Sequence, residues 1–236
     1  MKRIFWISGV LAFAANCPAW AATTVYTDQT SFQSALSSSA LTLLNFDNLA
    51  TAAPYYTNYG QSTDIGGVQF IAPDNLAATN PAYGSGYDYG LGTSLTSYAN
   101  TPTEIGGNSF TVALPNNVSA LGFYLGNTFA AGSTSGGFTF NLSDGSNFSE
   151  TPVAGTAAFY GFVSSAPIAS LTILNSTPSD NPSDPTQTPL TNLMRFEYAV
   201  SPVPEPAEWL MMALGIALLG GWCKGHKRAA TCLPHC

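Results

Sequence analysis

Four tyrosines fall within NPAYGSGYDYGLGTSLTSYAN, residues 80–100: Tyr83, Tyr87, Tyr89 and Tyr98. The stretch YYTNY at 55–59 adds three more. A tyrosine presents a flat apolar face and a hydroxyl, the combination that stacks on a sugar ring and hydrogen-bonds its edge. Tyr83, Tyr87, Tyr89 and Tyr98 are therefore the candidate glycan-binding residues. The alternative is that they pack a long glycine-rich loop.

Chemistry beyond binding has fewer residues to work with. No histidine lies between residues 22 and 201, which removes Ser-His-Asp and Cys-His arrangements and most zinc sites from that region. A glycosidase needs only two carboxylates, and Asp47, Asp64, Asp88, Glu104 and Glu197 are candidates, but no pair has a spacing that marks it. The expectation is a protein that is not an enzyme, with no catalytic residue and no cofactor. Calcium is the more plausible ion, with Asp144 in NLSDGSNFSE, and Asp180 and Asp184 in STPSDNPSDPTQTP, as weak candidate ligands where hard oxygen donors could converge. Asp144-Gly145 is equally a hairpin-turn signature. Arg195 is the only lysine or arginine between residues 22 and 201, against eleven carboxylates. One cation cannot neutralise a run of phosphates, so nucleic acid is excluded as a partner.

The elements that must position these residues read as strands and turns. LTLLNFD, GGVQFIAP, NSFTVALP, VSALGFYLG, GGFTFNLS, TAAFYGFVS, IASLTILN and LMRFEYAV are each apolar-rich, aromatic or β-branched, and bounded by Gly, Pro, Asn or Asp. Phe138, Phe140 and Leu142 alternate with Thr139 and Asn141, the period of a half-buried strand. One short helix is expected over Ser31 to Leu36, capped by Thr30 or Ser31. The fold class expected is all-β, a jelly-roll-like β-sandwich over residues 22–201. STDIGGVQF at 62–70 and PTEIGGNSF at 102–110 share an acid-Ile-Gly-Gly pattern with a closing Phe, and read as a turn followed by a strand in each.

Both ends of the chain read as targeting segments. MKR and the apolar IFWISGVLAFAA form a signal peptide over residues 1–21, with small residues placing cleavage between Ala21 and Ala22 by signal peptidase. Residues 202–208 are a Pro-rich spacer, 209–223 an apolar run expected to span a membrane as a helix, and 224–236 a basic tail. Lys224, Lys227 and Arg228 would stay on the cytoplasmic side. Cys223, Cys232 and Cys236 lie in or beyond that run, so residues 22–201 hold no cysteine and no disulfide.

Val203-Pro204-Glu205-Pro206, the run from Trp209 to Trp222 and the basic Lys224 to Arg228 resemble the PEP-CTERM sorting signal of exported Gram-negative bacterial proteins. That resemblance covers about a tenth of the chain. It implies processing by exosortase, with Pro204, Glu205 and Pro206 as the recognition motif, in a cell that makes exopolysaccharide. It further implies export, a transient or stable membrane anchor and a place at the cell surface or in the extracellular matrix. The function expected is a structural surface or matrix protein; the alternative is a carbohydrate- or exopolysaccharide-binding module, calcium-assisted in one version, with a glycan-active enzyme third.

Overall fold

The structure is a computed structural model and describes residues 22–36, 40–98, 109–128, 137–151, 155–176 and 190–201. Every segment expected as a strand is one: β2 (Leu41–Leu44), β4 (Val68–Thr79), β6 (Phe110–Ala113), β7 (Val118–Thr128), β8 (Phe138–Leu142), β10 (Ala157–Ser164), β11 (Ser170–Asn175) and β12 (Leu190–Val200). Four more appear among the described residues: β1 (Thr23–Tyr26), β3 (Tyr56–Ile65), β5 (Ser94–Tyr98) and β9 (Asn147–Glu150). These carry weaker signals; β3, YTNYGQSTDI, has almost no apolar alternation. It is held instead by the hairpin to β4, whose turn residues Gly66 and Gly67 have φ of 61° and 80°, the two positive values a tight hairpin turn requires.

The pairing corrects the expected β-sandwich. The strands do not separate into two stacked sheets but form one twelve-stranded sheet, in the order β1-β10-β7-β12-β5-β4-β6-β11-β8-β9, with β2 added to β12 and β3 to β4. The cause lies in β4. Its first half, Gln69 to Ile71, pairs with β6, and its second half, Asn75 to Thr79, pairs with β5. Pro73 sits between the halves and has no N–H to give a ladder, so the strand changes neighbours there without ending. The result is all-β: a single sheet curled into a half-barrel.

The curl encloses the core. Phe70, Phe123, Phe138, Phe140, Phe162 and Phe196 are fully buried. Rings from strands distant in the sheet order meet inside it: Phe123 of β7 lies 6.0 Å from Phe140 of β8, and Phe162 of β10 lies 5.6 Å from Phe148 of β9.

One carboxylate clasps the two ends of the sheet order. Asp144, in the turn between β8 and β9, accepts hydrogen bonds at Oδ2 from Thr23 Oγ1 of β1 and Ser164 Oγ of β10, each 2.6 Å long. Its Oδ1 accepts from the Ser146 amide at 2.9 Å. Burial pushes the Asp144 carboxyl up, but the bonds from Ser164, Thr23 and Ser146 outweigh it and hold its pKa below the ordinary aspartate value. A depressed folded pKa means stability that is fully present above the unfolded value of about 3.9 and lost as pH falls through the lower folded value. Asp144→Ala is expected to cost about 1–2 kcal/mol at pH 7, toward the low end because the carboxylate is only half-buried. Denaturant titration checks this, and the wild-type advantage should shrink as the pH is taken below about 3.9.

Helix α1 (Gln29–Ala35) lies on the outer face. It starts two residues earlier than expected because Asp28, not Thr30 or Ser31, is the cap: its Oδ1 accepts from the Ser31 amide at 2.8 Å. Phe32 is its one buried side chain, resting where Gly161 of β10 faces Gly122 of β7. A Cβ at Gly161 would lie 2.6 Å from the Phe32 ring, and one at Gly122 would lie 2.8 Å from Phe159. The two glycines therefore form a socket for the ring. Glu197 of β12 is 1% exposed and accepts from Gln29 Nε2 at 3.2 Å and Gln33 Nε2 at 3.0 Å, which ties the helix to the sheet.

The expectation of a membrane-anchoring helix is also corrected. No helix among the described residues is long and apolar enough to cross a membrane, and α1, with seven residues, is about 10 Å long. The expected signal peptide at 1–21, the Pro-rich spacer at 202–208, the apolar run at 209–223 and the basic tail at 224–236 lie outside the described residues.

Candidate functional site

The tyrosine-rich connection between β4 and β5 runs from residue 80 to 93 and is built on short-range hydrogen bonds. Asn80 caps a single 3-10 turn, Pro81–Tyr83, through its Oδ1 and the Ala82 amide at 3.0 Å. A second 3-10 turn, Ser85–Tyr87, follows. Both ends of the loop are tied down: the Asn80 amide donates to the Tyr55 carbonyl at 3.0 Å, Asn80 Nδ2 donates to Thr93 Oγ1 at 3.3 Å, and the Thr93 amide donates to Asp47 Oδ1 at 3.0 Å. A loop held this way presents its side chains in fixed directions.

Tyr83 and Tyr87 are brought together, with Tyr56 from the start of β3. The Tyr83 and Tyr56 rings stack at 5.4 Å between centroids and 29° between planes, and Tyr87 meets Tyr83 edge-on at 5.5 Å and 68°. Tyr83 is 48% exposed, so about half of its surface is open to solvent. Tyr55, 37% exposed, adjoins the cluster in sequence. Tyr56 was not among the candidates read from sequence; the signal for it was YYTNY, noticed there without the contact that gives it a role.

The other two candidates go elsewhere. Tyr89 lies over Gly126 of β7, where a Cβ would be 2.6 Å from its ring, and its hydroxyl accepts from Asn192 Nδ2 at 3.3 Å. It is a peg that fastens the loop to the sheet. Tyr98 closes β5, its backbone paired with Asn75, and its side chain lies outside the described residues. Tyr59 packs against the core, and burial pushes its phenol up.

The carboxylates are structural in their contacts. Asp47 holds the Thr93 amide, Asp64 accepts from the Gly67 amide at 3.1 Å, Asp88 accepts from the Gly90 amide at 3.0 Å, and Glu197 holds helix α1. Glu104 is outside the described residues. Of the calcium candidates, Asp144 is taken up by the clasp, and Asp180 and Asp184 lie outside the described residues. Among the described residues no three His, Cys, Asp or Glu side chains cluster as metal ligands do. Pro204, Glu205, Pro206 and Ala21 are likewise outside; Ala22 is described, its amide donating to Ser165 Oγ at 3.0 Å.

No family model matches the chain, and no curated protein matches it. Among solved structures it is similar to the CBM22-1 xylan-binding domain from Paenibacillus barcinonensis Xyn10C, at 17% identity over 69% of this chain and 95% of that domain, with a TM-score of 0.32. This is a distant match to a carbohydrate-binding module over part of the chain, too loose to bear on what the chain binds.

Proposed function

We propose that the chain is a glycan-binding protein whose ligand stacks on Tyr83, with Tyr56 behind that ring and Tyr87 at its edge. The observation that carries this is the exposed Tyr83, on a loop fixed at both ends, stacked on Tyr56 of β3. A platform already in place does not lose the side-chain entropy that ordering it on binding would cost. Sugar rings with equatorial hydroxyls offer the apolar C–H face such a platform takes, so neutral β-linked glycans are the first ligands to try. The described carboxylates that the sequence offered as catalytic candidates, Asp47, Asp64, Asp88 and Glu197, each hold a loop, a turn or the helix, which supports a reading of binding without turnover. The test is affinity electrophoresis of the full chain in gels containing xylan, mixed-linkage β-glucan or no polysaccharide. Retardation by a neutral glycan is the expected result; unchanged mobility in every gel would return the protein to a purely structural role.

We also propose exosortase as a processing partner acting at Pro204-Glu205-Pro206. The support is the order of that motif, the apolar run and the basic cluster in the sequence. Co-expression with an exosortase should shorten the chain, and replacing Glu205 and both prolines should abolish the shortening; an unchanged mass with the native motif would refute the partner.

A further inference from the structure

Arg195 interrupts the strand that carries it. Every residue of β12 from Leu190 to Ala199 is buried except Arg195, which is exposed. Its φ of 47° lies in the left-handed region that residues other than glycine rarely adopt. The local cause is a bulge. Met194 pairs with Tyr124 of β7 and Glu197 with Gly122, so Arg195 and Phe196 together stand opposite Phe123. Phe196 is fully buried in the core. An exposed side chain cannot share that core, so Arg195 leaves the sheet on its outer face. On its other side β12 pairs with β5 at Thr191 to Leu193 and with β2 at Phe196 to Ala199. The bulge therefore opens between the start of β5 and the end of β2. Thr93, the residue before β5, is the foot of the tyrosine loop: it is bonded to Asp47 and Asn80, and the Tyr83 amide donates to the Asn80 carbonyl at 2.9 Å. Arg195 emerges beside the base of the loop that carries Tyr83.

Contacts within the chain give no reason for this placement. Arg195 is the only lysine or arginine from residue 22 to 201, where eleven carboxylates are available. Among the described residues none of them pairs with it. Glycine would take the bulge position without strain, and strained backbone of this kind clusters at ligand sites. The ligand that fits a guanidinium is an anion, and its planar fork matches a carboxylate through two parallel N–H···O bonds. A polyanion is a poor match, because the eleven carboxylates repel it. A neutral sugar chain carrying an isolated carboxylate meets both conditions.

We propose that Arg195 is a specificity-determining residue that recognises the carboxylate of a uronic acid carried on an otherwise neutral β-linked glycan. The inference rests on the glycan-binding reading and narrows its ligand class. The experiment is calorimetric titration of the full chain with a neutral β-linked oligosaccharide bearing one uronic acid, and with the same oligosaccharide after its carboxyl has been reduced to the alcohol. The uronate form should bind about fivefold more tightly, the scale of one exposed, well-aligned ion pair, and the preference should fade in high salt. Arg195→Gln should abolish the preference and leave the affinity for the reduced form unchanged. Arg195→Lys keeps the charge but loses the fork, so it should retain part of the preference. Arg195→Gly should abolish it without lowering the thermal midpoint, since glycine adopts a φ of 47° freely, and this separates loss of recognition from loss of the fold. Equal affinities for the two forms, or a preference that survives Arg195→Gln, would overturn the assignment and leave the tyrosine platform standing. A preference abolished by Arg195→Gln, with affinity unchanged in Tyr83→Ala, would overturn the platform and keep Arg195. Wild-type protein that binds neither form would overturn both.

Discussion

Gly161→Val should destabilise the protein by about 3 kcal/mol, more than a typical surface or strand substitution, because it fills the seat of helix α1. A glycine inside a strand is ordinarily a weakness worth roughly 0.5–1 kcal/mol, which any larger residue would recover. Here the sign reverses. The Cβ alone would sit 2.6 Å from Phe32 and 2.9 Å from Phe159, and valine adds two methyls that drive the ring outward. Phe32 is completely buried among Tyr26, Phe159, Ala120 and Ala199. Displacing it approaches the cost of Phe32→Ala, about 3–5 kcal/mol, and loosens the Gln29 and Gln33 bonds to the buried Glu197. Combining Gly161→Ala with Phe32→Ala should cost less than the sum of the two, since the closest clash, with Phe32, is gone once that ring is removed. Urea denaturation of wild type, Gly161→Val, Gly161→Ala, Phe32→Ala and the double variant measures this. A Gly161→Val midpoint equal to wild type, or strict additivity in the double variant, would show that the socket does not hold the helix.

That socket also marks the boundary of what the sequence discloses. Alternation in Phe138-Thr139-Phe140-Asn141-Leu142 is local, and the strand it announces is present with the expected face inward. Gly66 and Gly67 announced a turn by the same local logic. The glycines at 122 and 161 look like defects in otherwise apolar strands until β7 and β10 are paired and place them side by side. The curl was hidden for a related reason: nothing around Pro73 says which strands β4 will meet on either side of it. Asp144 read as a turn residue or a calcium ligand, and its partner Thr23 lies 121 residues away. Among the tyrosines, composition marked the loop but could not sort its members. Tyr83 turns outward onto Tyr56 while Tyr89 turns inward onto Gly126, and the difference is set by a strand from a distant part of the chain.

Tyr83→Ala should lower the affinity for a neutral β-glycan at least tenfold while leaving the fold intact. The ring is 48% exposed, so its removal creates no core cavity. Losing one stacking surface forfeits the burial of apolar area at roughly 25 cal/mol per Å² together with about 0.5–1.5 kcal/mol of specific ring contact. Tyr83→Phe keeps the face and loses only the hydroxyl, so it should remain within a few-fold of wild type. Tyr56→Ala removes the support behind Tyr83 and should weaken binding less than Tyr83→Ala does. Tyr89→Ala should lower the thermal midpoint first, because it unpegs the loop from Gly126 and Asn192. The most direct measurement of the central claim is calorimetric titration of wild type, Tyr83→Phe and Tyr83→Ala with a soluble neutral β-glycan, each protein first shown to unfold at the same temperature. Binding by wild type and Tyr83→Phe and a loss of at least tenfold in Tyr83→Ala are expected; equal affinities in all three proteins, or no binding by wild type, would rule the tyrosine platform out.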